Sequence, residues 1–294
     1  MEDLKKGNFI GSIAILLWST LALFTVLAGK IPPFQLLAIS FSIAFCIGLV
    51  WLLKSGKKAF LELKQPFSVW LIGVGGLFGY HFFYFMAIKN APAIEANLIN
   101  YLWPLLIVLL SSFLPNEKLK YYHILGAFFG FMGAVLLVMK DGGTIELNKD
   151  YLLGYTLALL CALTWSSYSV ISKKFAHIST HVVSGFCGLT MVFAWICHFI
   201  FEKTVTPTMT EFLASIMLGL GPVGGAFYVW DIGMKKGDIK FLGTLAYATP
   251  LLSTLLLILM GLANSSFNVW IACGLIITGS LVSSGKYLKR KKQI

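Results

Sequence analysis

The sequence predicts an all-α polytopic membrane protein, with ten transmembrane helices arranged as two inverted five-helix repeats. Three observations carry this prediction: the hydropathy of the chain, the side on which its lysines fall, and a self-match at a fixed offset. Of 294 residues, 58% are hydrophobic and 12% are charged, with a mean hydropathy of +0.84. An average soluble domain carries about 25% charge. The composition excludes a disordered chain, a collagen, a secreted disulfide scaffold and a typical soluble enzyme.

A bilayer core is crossed by about 20 apolar residues per helix. Ten runs meet this need: 8–28, 33–53, 67–88, 93–114, 121–139, 151–172, 181–201, 211–234, 239–261 and 267–287. The first follows Lys5-Lys6, is too long for a signal-peptide core, lacks a small-x-small cleavage site and leads at once into another span. It reads as a retained helix. The segments 54–66, 140–150 and 202–210 are short and polar and hold no soluble catalytic domain. Cys46, Cys161, Cys187, Cys197 and Cys273 all lie in apolar runs without Cys-x-x-Cys spacing and are expected as buried small hydrophobes.

The net charge of +11 lies almost entirely between the runs and forms no basic groove, so nucleic acid is not an expected partner. With the N-terminus inside, the inner segments hold 18 Lys and Arg and the outer segments hold 5, namely Lys30, Lys89, Lys140, Lys149 and Lys203. That bias predicts cytoplasmic placement of both termini. The basic tail from Lys286 to Lys292 reads as a positive-inside anchor touching anionic lipid.

An offset of 146 aligns 73–110 with 219–256, with ten identities in 38 positions. Gly73/Gly219, Gly75/Gly221, Gly79/Gly225, Tyr101/Tyr247 and Pro104/Pro250 carry the match, and a one-residue shift adds Trp18-Ser19 against Trp165-Ser166. Five spans per half is an odd number, so the halves must be inverted relative to one another. This is a transporter architecture, with the substrate near the midplane where the halves meet. The expected units are 1–140 and 151–294.

The residues now resemble a family. Two five-helix halves resemble the EamA domain of the drug/metabolite transporter superfamily over nearly the whole chain. Ile94-Glu95 followed by Asn100-Tyr101-Leu102-Trp103-Pro104, together with Trp18-Ser19-Thr20, Tyr228 to Gly233 and Tyr247-Ala248-Thr249-Pro250, look like the aromatic amino acid exporter branch. The resemblance implies a ten-helix inner-membrane carrier of amino acids and related metabolites, with the fifth and tenth helices outside the cavity. It implies a monomer or homodimer in the lipid bilayer of a bacterial cytoplasmic membrane. A Glu often follows the fourth span of each half in that superfamily. Glu117 supplies the first, whereas the second half has Ala263.

Candidate site residues follow from depth and polarity. Asn97, Asn100 and Pro104 share a helix face at i, i+3, i+7, either tying helices together or lining a substrate path. Paired proline breaks at Pro104 and Pro250 point to a transporter site and to hinges. Tyr80 and His81 lie near mid-span and face a cavity or a structural partner. Trp103 and Trp165 are expected as cavity walls, and Trp18 fits a wall or a packing role equally. The expected substrate-binding set is therefore Tyr80, His81, Asn97, Asn100, Tyr101, Trp103 and Trp165. Glu95, near the outer surface, is a candidate for drawing an amino group or carrying a proton, and Asp231 is expected to snorkel to the inner headgroups. Gly75-x-x-x-Gly79 and Gly221-x-x-x-Gly225 are expected to pack within the chain, while Gly126-x-x-x-Gly130 has the best claim to an intersubunit role. His177-x-x-x-His181 has metal spacing but no third ligand, so neither a metal nor a cofactor is expected.

Four activities are weighed. Export of aromatic or other neutral amino acids by alternating access leads. A second is carriage of another small solute, such as a purine, a sugar-nucleotide precursor or a drug-like cation. A membrane-embedded enzyme would need companions for His81 that the sequence lacks. A passive channel would need a selectivity-type polar string.

Overall fold

A computed structural model describes residues 2–115, 117–138, 148–262 and 267–283. The described residues are helical, with no strand among them. Eight stretches are long and apolar enough to cross a membrane: Glu2–Leu27, Pro33–Ser55, Phe67–Asn90, Glu95–Phe113, Lys149–Lys174, Val182–Phe201, Met209–Lys236 and Ile239–Leu259. Tyr121–Leu137 and Phe267–Ser283 are apolar but shorter. Ala263 and the Lys286–Lys292 tail lie outside the described residues.

Several of these stretches are interrupted. The first consists of α1 (Glu2–Ser19) and α2 (Leu21–Leu27), broken at Thr20. An unbroken α3 (Pro33–Ser55) follows, opened by a proline whose missing N–H is no loss in a first turn. It stops at Gly56, whose φ of 79° is left-handed. A short α4 (Lys57–Leu61) precedes α5 (Phe67–Val74), a π turn at Gly75–Gly79, and α6 (Tyr80–Asn90). The next stretch is split into α7 (Ala93–Asn100) and α8 (Trp103–Leu110), with Pro104 in the first turn of α8. Then comes α9 (Tyr121–Val138).

After residue 148 come α10 (Leu152–Lys174) and α11 (Val182–Phe201), both continuous. α12 (Met209–Leu220) starts on a capping box in which Thr208 and Glu211 satisfy each other's backbone donors. It is separated from α13 (Gly225–Lys236) by an open turn at 221–224. Val223 N–H donates to Leu218 O at 2.8 Å and Ala226 N–H to Gly221 O at 2.9 Å, so this turn too is widened to i→i−5 bonding. α14 (Ile239–Leu245), capped by Asp238, and α15 (Ala248–Leu259) form a second split stretch, and α16 (Phe267–Ser283) follows.

Helices pair across the chain: α1 with α13, α6 with α10, α3 with α11, α8 with α14 and α9 with α16. Exchanging the halves carries the first pair onto the second and the α3·α11 and α9·α16 pairs onto themselves, while α8 and α14 join the two split stretches that exchange with each other. Small residues set the closest approaches. A Cβ on Gly7 would lie 2.5 Å from Gly237 N, and one on Gly233 would lie 2.5 Å from Gly11 Cα.

The packing corrects three expectations. A Cβ on Gly126 would lie 2.5 Å from Gly279 O, and one on Gly130 would lie 2.4 Å from the Tyr247 ring. The Gly126-x-x-x-Gly130 face is thus filled from within the chain and is not a free intersubunit face. Asp231 does not snorkel. It is 3% exposed, ion-paired to Lys235 at 2.7 Å, and accepts from the Thr180 hydroxyl at 2.7 Å, because α13 turns it inward against the 178–180 turn. Cys46 is exposed and Cys273 partly so, while Cys161, Cys187 and Cys197 are buried.

Candidate functional site

The split stretches and the widened turns meet around one cavity of about 150 Å³. An apolar cavity of about 150 Å³ accepts a benzene ring. All seven expected residues, Tyr80, His81, Asn97, Asn100, Tyr101, Trp103 and Trp165, line it, and Trp18 joins them as a wall. Sequence reasoning missed Leu21, Tyr84, Pro222, Val223, Phe227 and Thr249. Two signals were available. Tyr84 lies one helical turn from Tyr80 on the same face. Phe227 and Thr249 lie 146 residues beyond His81 and Trp103.

The floor is three indoles, Trp18, Trp103 and Trp165, backed by a fourth, Trp230. Trp18 lies 6.1 Å from Trp103, 5.7 Å from Trp165 and 4.9 Å from Trp230, between ring centroids. Trp230 is fully buried, and its indole N–H donates to Ser169 Oγ at 3.0 Å. Trp103 and Trp165, 7% and 3% exposed, belong to the main hydrophobic core as well as to the cavity wall. Truncating either to alanine therefore removes core volume too, at about 3–5 kcal/mol.

The polar wall comes from α6 and α7. Tyr84 donates to Asn97 Oδ1 at 2.9 Å, and Asn100 Nδ2 donates to Tyr80 Oη at 3.2 Å. Tyr80 and Tyr84 stack at 6.3 Å. His81 Nδ1 lies 2.7 Å from Leu77 O, so this nitrogen carries the proton, and its ring meets Phe41 and Phe227 edge-on. No Asp, Glu, Lys or Arg stands among the described lining residues.

The remaining candidates lie elsewhere. Glu95, in the first turn of α7, accepts a hydrogen bond from Tyr155 of α10 and is not among the cavity-lining residues. Pro104 and Pro250 are buried at the starts of α8 and α15. Pro104 is followed by Leu105, whose N–H donates to Tyr247 Oη at 3.2 Å rather than to a preceding carbonyl. Glu117 pairs with Lys240 at the start of α14. His181 lies 2.7 Å from Glu62 and 4.1 Å from the Trp51 ring. Hydrogen bonds from Ser179 and His181 hold the Glu62 carboxyl below the usual carboxylate range. Among the described residues no group of three His, Cys, Asp or Glu gathers to hold a metal ion. α9 and α16 pack on each other and on Tyr247 in a separate small core and contribute nothing to the described cavity lining.

Comparison with known proteins gives the same frame. The EamA-like transporter family matches at residues 5–139 and again at 152–285. The chain is 51% identical over 280 residues to the aromatic amino acid exporter YddG of Ancylobacter novellus, covering 95% of this chain and 97% of that protein. It is 25% identical over 292 residues to the aromatic amino acid exporter YddG of Escherichia coli, covering 95% and 96%. A solved crystal structure at 49% identity superposes with a TM-score of 0.93 over 99% of both chains. The chain belongs to the EamA-like transporter family.

Proposed function

We propose that this member of the EamA-like transporter family exports aromatic or other neutral amino acids, and related small metabolites, across a bacterial cytoplasmic membrane by alternating access. The observation that carries the reading is the cavity lining: an indole floor under a wall of tyrosines and asparagines, with no formal charge among its described residues. Such a lining suits a flat apolar side chain joined to a small zwitterion. It disfavours the alternatives of a drug-like cation or a charged nucleotide precursor, since no Asp, Glu, Lys or Arg is among the described lining residues. The exporter names of the relatives at 51% and 25% identity support the same substrate class.

The architecture we assign is ten spans in two inverted units, 1–140 and 151–294, with both termini cytoplasmic. The double family match, the half-exchanging helix pairs and the charge bias support it. In this reading Tyr80, His81, Asn97, Asn100, Tyr101, Trp103 and Trp165 contact substrate, and Pro104 and Pro250 serve as hinges. Glu95, tied to Tyr155 away from the described lining, steadies the outer end of α7 rather than meeting the amino group in the cavity.

Counterflow in proteoliposomes tests the reading. Vesicles loaded with phenylalanine or tryptophan are expected to take up the labelled amino acid transiently above equilibrium and to return it chemically unchanged. Simple equilibration would indicate a channel, and an altered product an enzyme. Fusions of a reporter to each terminus test the topology, with cytoplasmic signals expected at both.

A further inference from the structure

Each buried polar atom of the cavity-lining residues can be asked for its partner. Asn97 Oδ1 has the Tyr84 hydroxyl, Asn100 Nδ2 has Tyr80 Oη, and His81 Nδ1 has the Leu77 carbonyl. Two lining residues carry a buried side-chain oxygen that has none: Asn100 Oδ1 and Thr249 Oγ1. Asn100 is 5% exposed, so solvent at the protein surface does not serve its oxygen. An unserved oxygen at this depth is costly unless a ligand completes it.

The two residues sit at opposite ends of half-helices. Asn100 is the last residue of α7, and Thr249 stands in the first turn of α15. Aligned peptide dipoles favour positive charge at the C-terminal end of a helix and negative charge at the N-terminal end. A carboxamide oxygen can only accept, whereas a threonine hydroxyl can donate.

We propose that the cavity clamps the zwitterionic head of an α-amino acid between the two halves of the chain, Asn100 Oδ1 accepting from the ammonium and Thr249 Oγ1 donating to the carboxylate. The side chain then lies over Trp103 and Trp165. Asn97 meets the substrate without supplying the clamp, because its oxygen is spent on Tyr84. The clamp explains how a lining without formal charge selects a ligand with two, since each charge meets a hydrogen-bonding oxygen and a helix end of matching polarity. This assignment rests on the proposed amino acid substrate and adds to it the atoms that recognise the head.

Three ligands separate the contributions: phenylalanine, 3-phenylpropionate without the ammonium, and phenethylamine without the carboxylate. Their affinities for the purified full chain in nanodiscs are read by calorimetry. The wild type is expected to prefer phenylalanine over either analogue by at least about tenfold, the worth of one hydrogen bond to a charged group. Asn100→Leu is expected to bring phenylalanine and 3-phenylpropionate within about threefold while leaving the penalty on phenethylamine intact. Thr249→Val is expected to do the reverse, and Thr249→Ser to restore the wild-type pattern. Asn100→Asp keeps the acceptor and is expected to keep the preference for the ammonium. Loss of phenylalanine binding in Asn100→Asp, or equal weakening of all three ligands in Asn100→Leu and Thr249→Val, would overturn the assignment. If the wild type bound phenylalanine no better than its analogues, the amino acid reading itself would fall and the clamp with it. If wild-type preference held but neither variant changed it, only the clamp would fall.

Discussion

The stretch Asn97 to Pro104 and its counterpart Gly243 to Pro250 share a frame and differ in chemistry. Both break one residue pair before an ordered helix, at Tyr101-Leu102 and at Ala246-Tyr247, and both carry proline in the following first turn. Yet Asn97 is matched by Gly243, Asn100 by Ala246 and Trp103 by Thr249. The pattern extends to the third stretch of each half, where Tyr80 is matched by Ala226, His81 by Phe227 and Tyr84 by Trp230. One half supplies the polar wall, and the other supplies ring surface and a single hydroxyl. Even an identical residue is used twice over. Tyr101 lines the cavity, while Tyr247 is fully buried and its hydroxyl serves the Leu105 N–H that the break leaves free. A repeated backbone device thus sets where the chain opens, and the side chains on it decide what the opening receives.

The two halves should differ most at their widened turns. A Cβ on Gly224 would lie 1.7 Å from Gly219 O, a backbone atom with nowhere to go, whereas one on Gly75 meets nothing within 4 Å. Gly224→Ala is expected to abolish recovery of folded, monodisperse protein. Gly75→Ala is expected to melt within about 0.5 kcal/mol of wild type. Size-exclusion profiles and thermal melts in detergent decide the matter, and equal tolerance at both sites would mean that the two turns are interchangeable after all.

The prolines come next. Replacing Pro104 by alanine lets the Asn100–Trp103 turn close toward regular helix, because the ring no longer excludes the preceding carbonyl. A misplacement of 1 Å in a positioned site costs up to about 100-fold. Pro104→Ala is therefore expected to slow liposome exchange by about ten- to a hundredfold. Pro250→Ala, which moves only Thr249 of the described lining, should slow it less. Wild-type rates in both variants would reduce the paired prolines to packing features.

The smallest effect expected is on the tyrosines. Tyr247→Phe strands the Leu105 N–H in a place without solvent and is expected to cost about 1–3 kcal/mol of stability. Tyr101→Phe is expected to leave the melting temperature alone and to act on substrate exchange. The opposite outcome, with Tyr101→Phe lowering the melting temperature and Tyr247→Phe slowing exchange alone, would swap the roles of the two hydroxyls.

The apolar helical stretches and the residues around the cavity were legible because lipid imposes simple rules. Long apolar runs must be helical, and polar side chains within them must face protein or water. Asn97, Asn100 and His81 announced the cavity by being polar at depth. Phe227 could not announce itself that way, since a phenylalanine in a membrane helix is ordinary. It becomes visible only through its match to His81. Trp230 behaves similarly: its depth resembles that of Trp18, but its role behind the floor depends on which face α13 turns toward α1. Asp231 misled because its place near a span end allowed snorkelling. Only the packed partners Thr180 and Lys235 show that it turns inward. The Gly126 motif misled for a related reason, since a small-residue stripe states that something packs closely but not whether the partner is the same chain.

The glycine contact between α1 and α13 bears on how the chain is made. Gly11 reaches its partner Gly233 only after 233 − 11 = 222 further residues have been synthesised. At about 5–20 residues per second, that takes roughly 10–45 seconds. For that interval the first helix resides in the bilayer with its small-residue face against acyl chains. The docking of α13 must expel them, so this contact is paced by the ribosome and forms by an exchange of lipid for backbone.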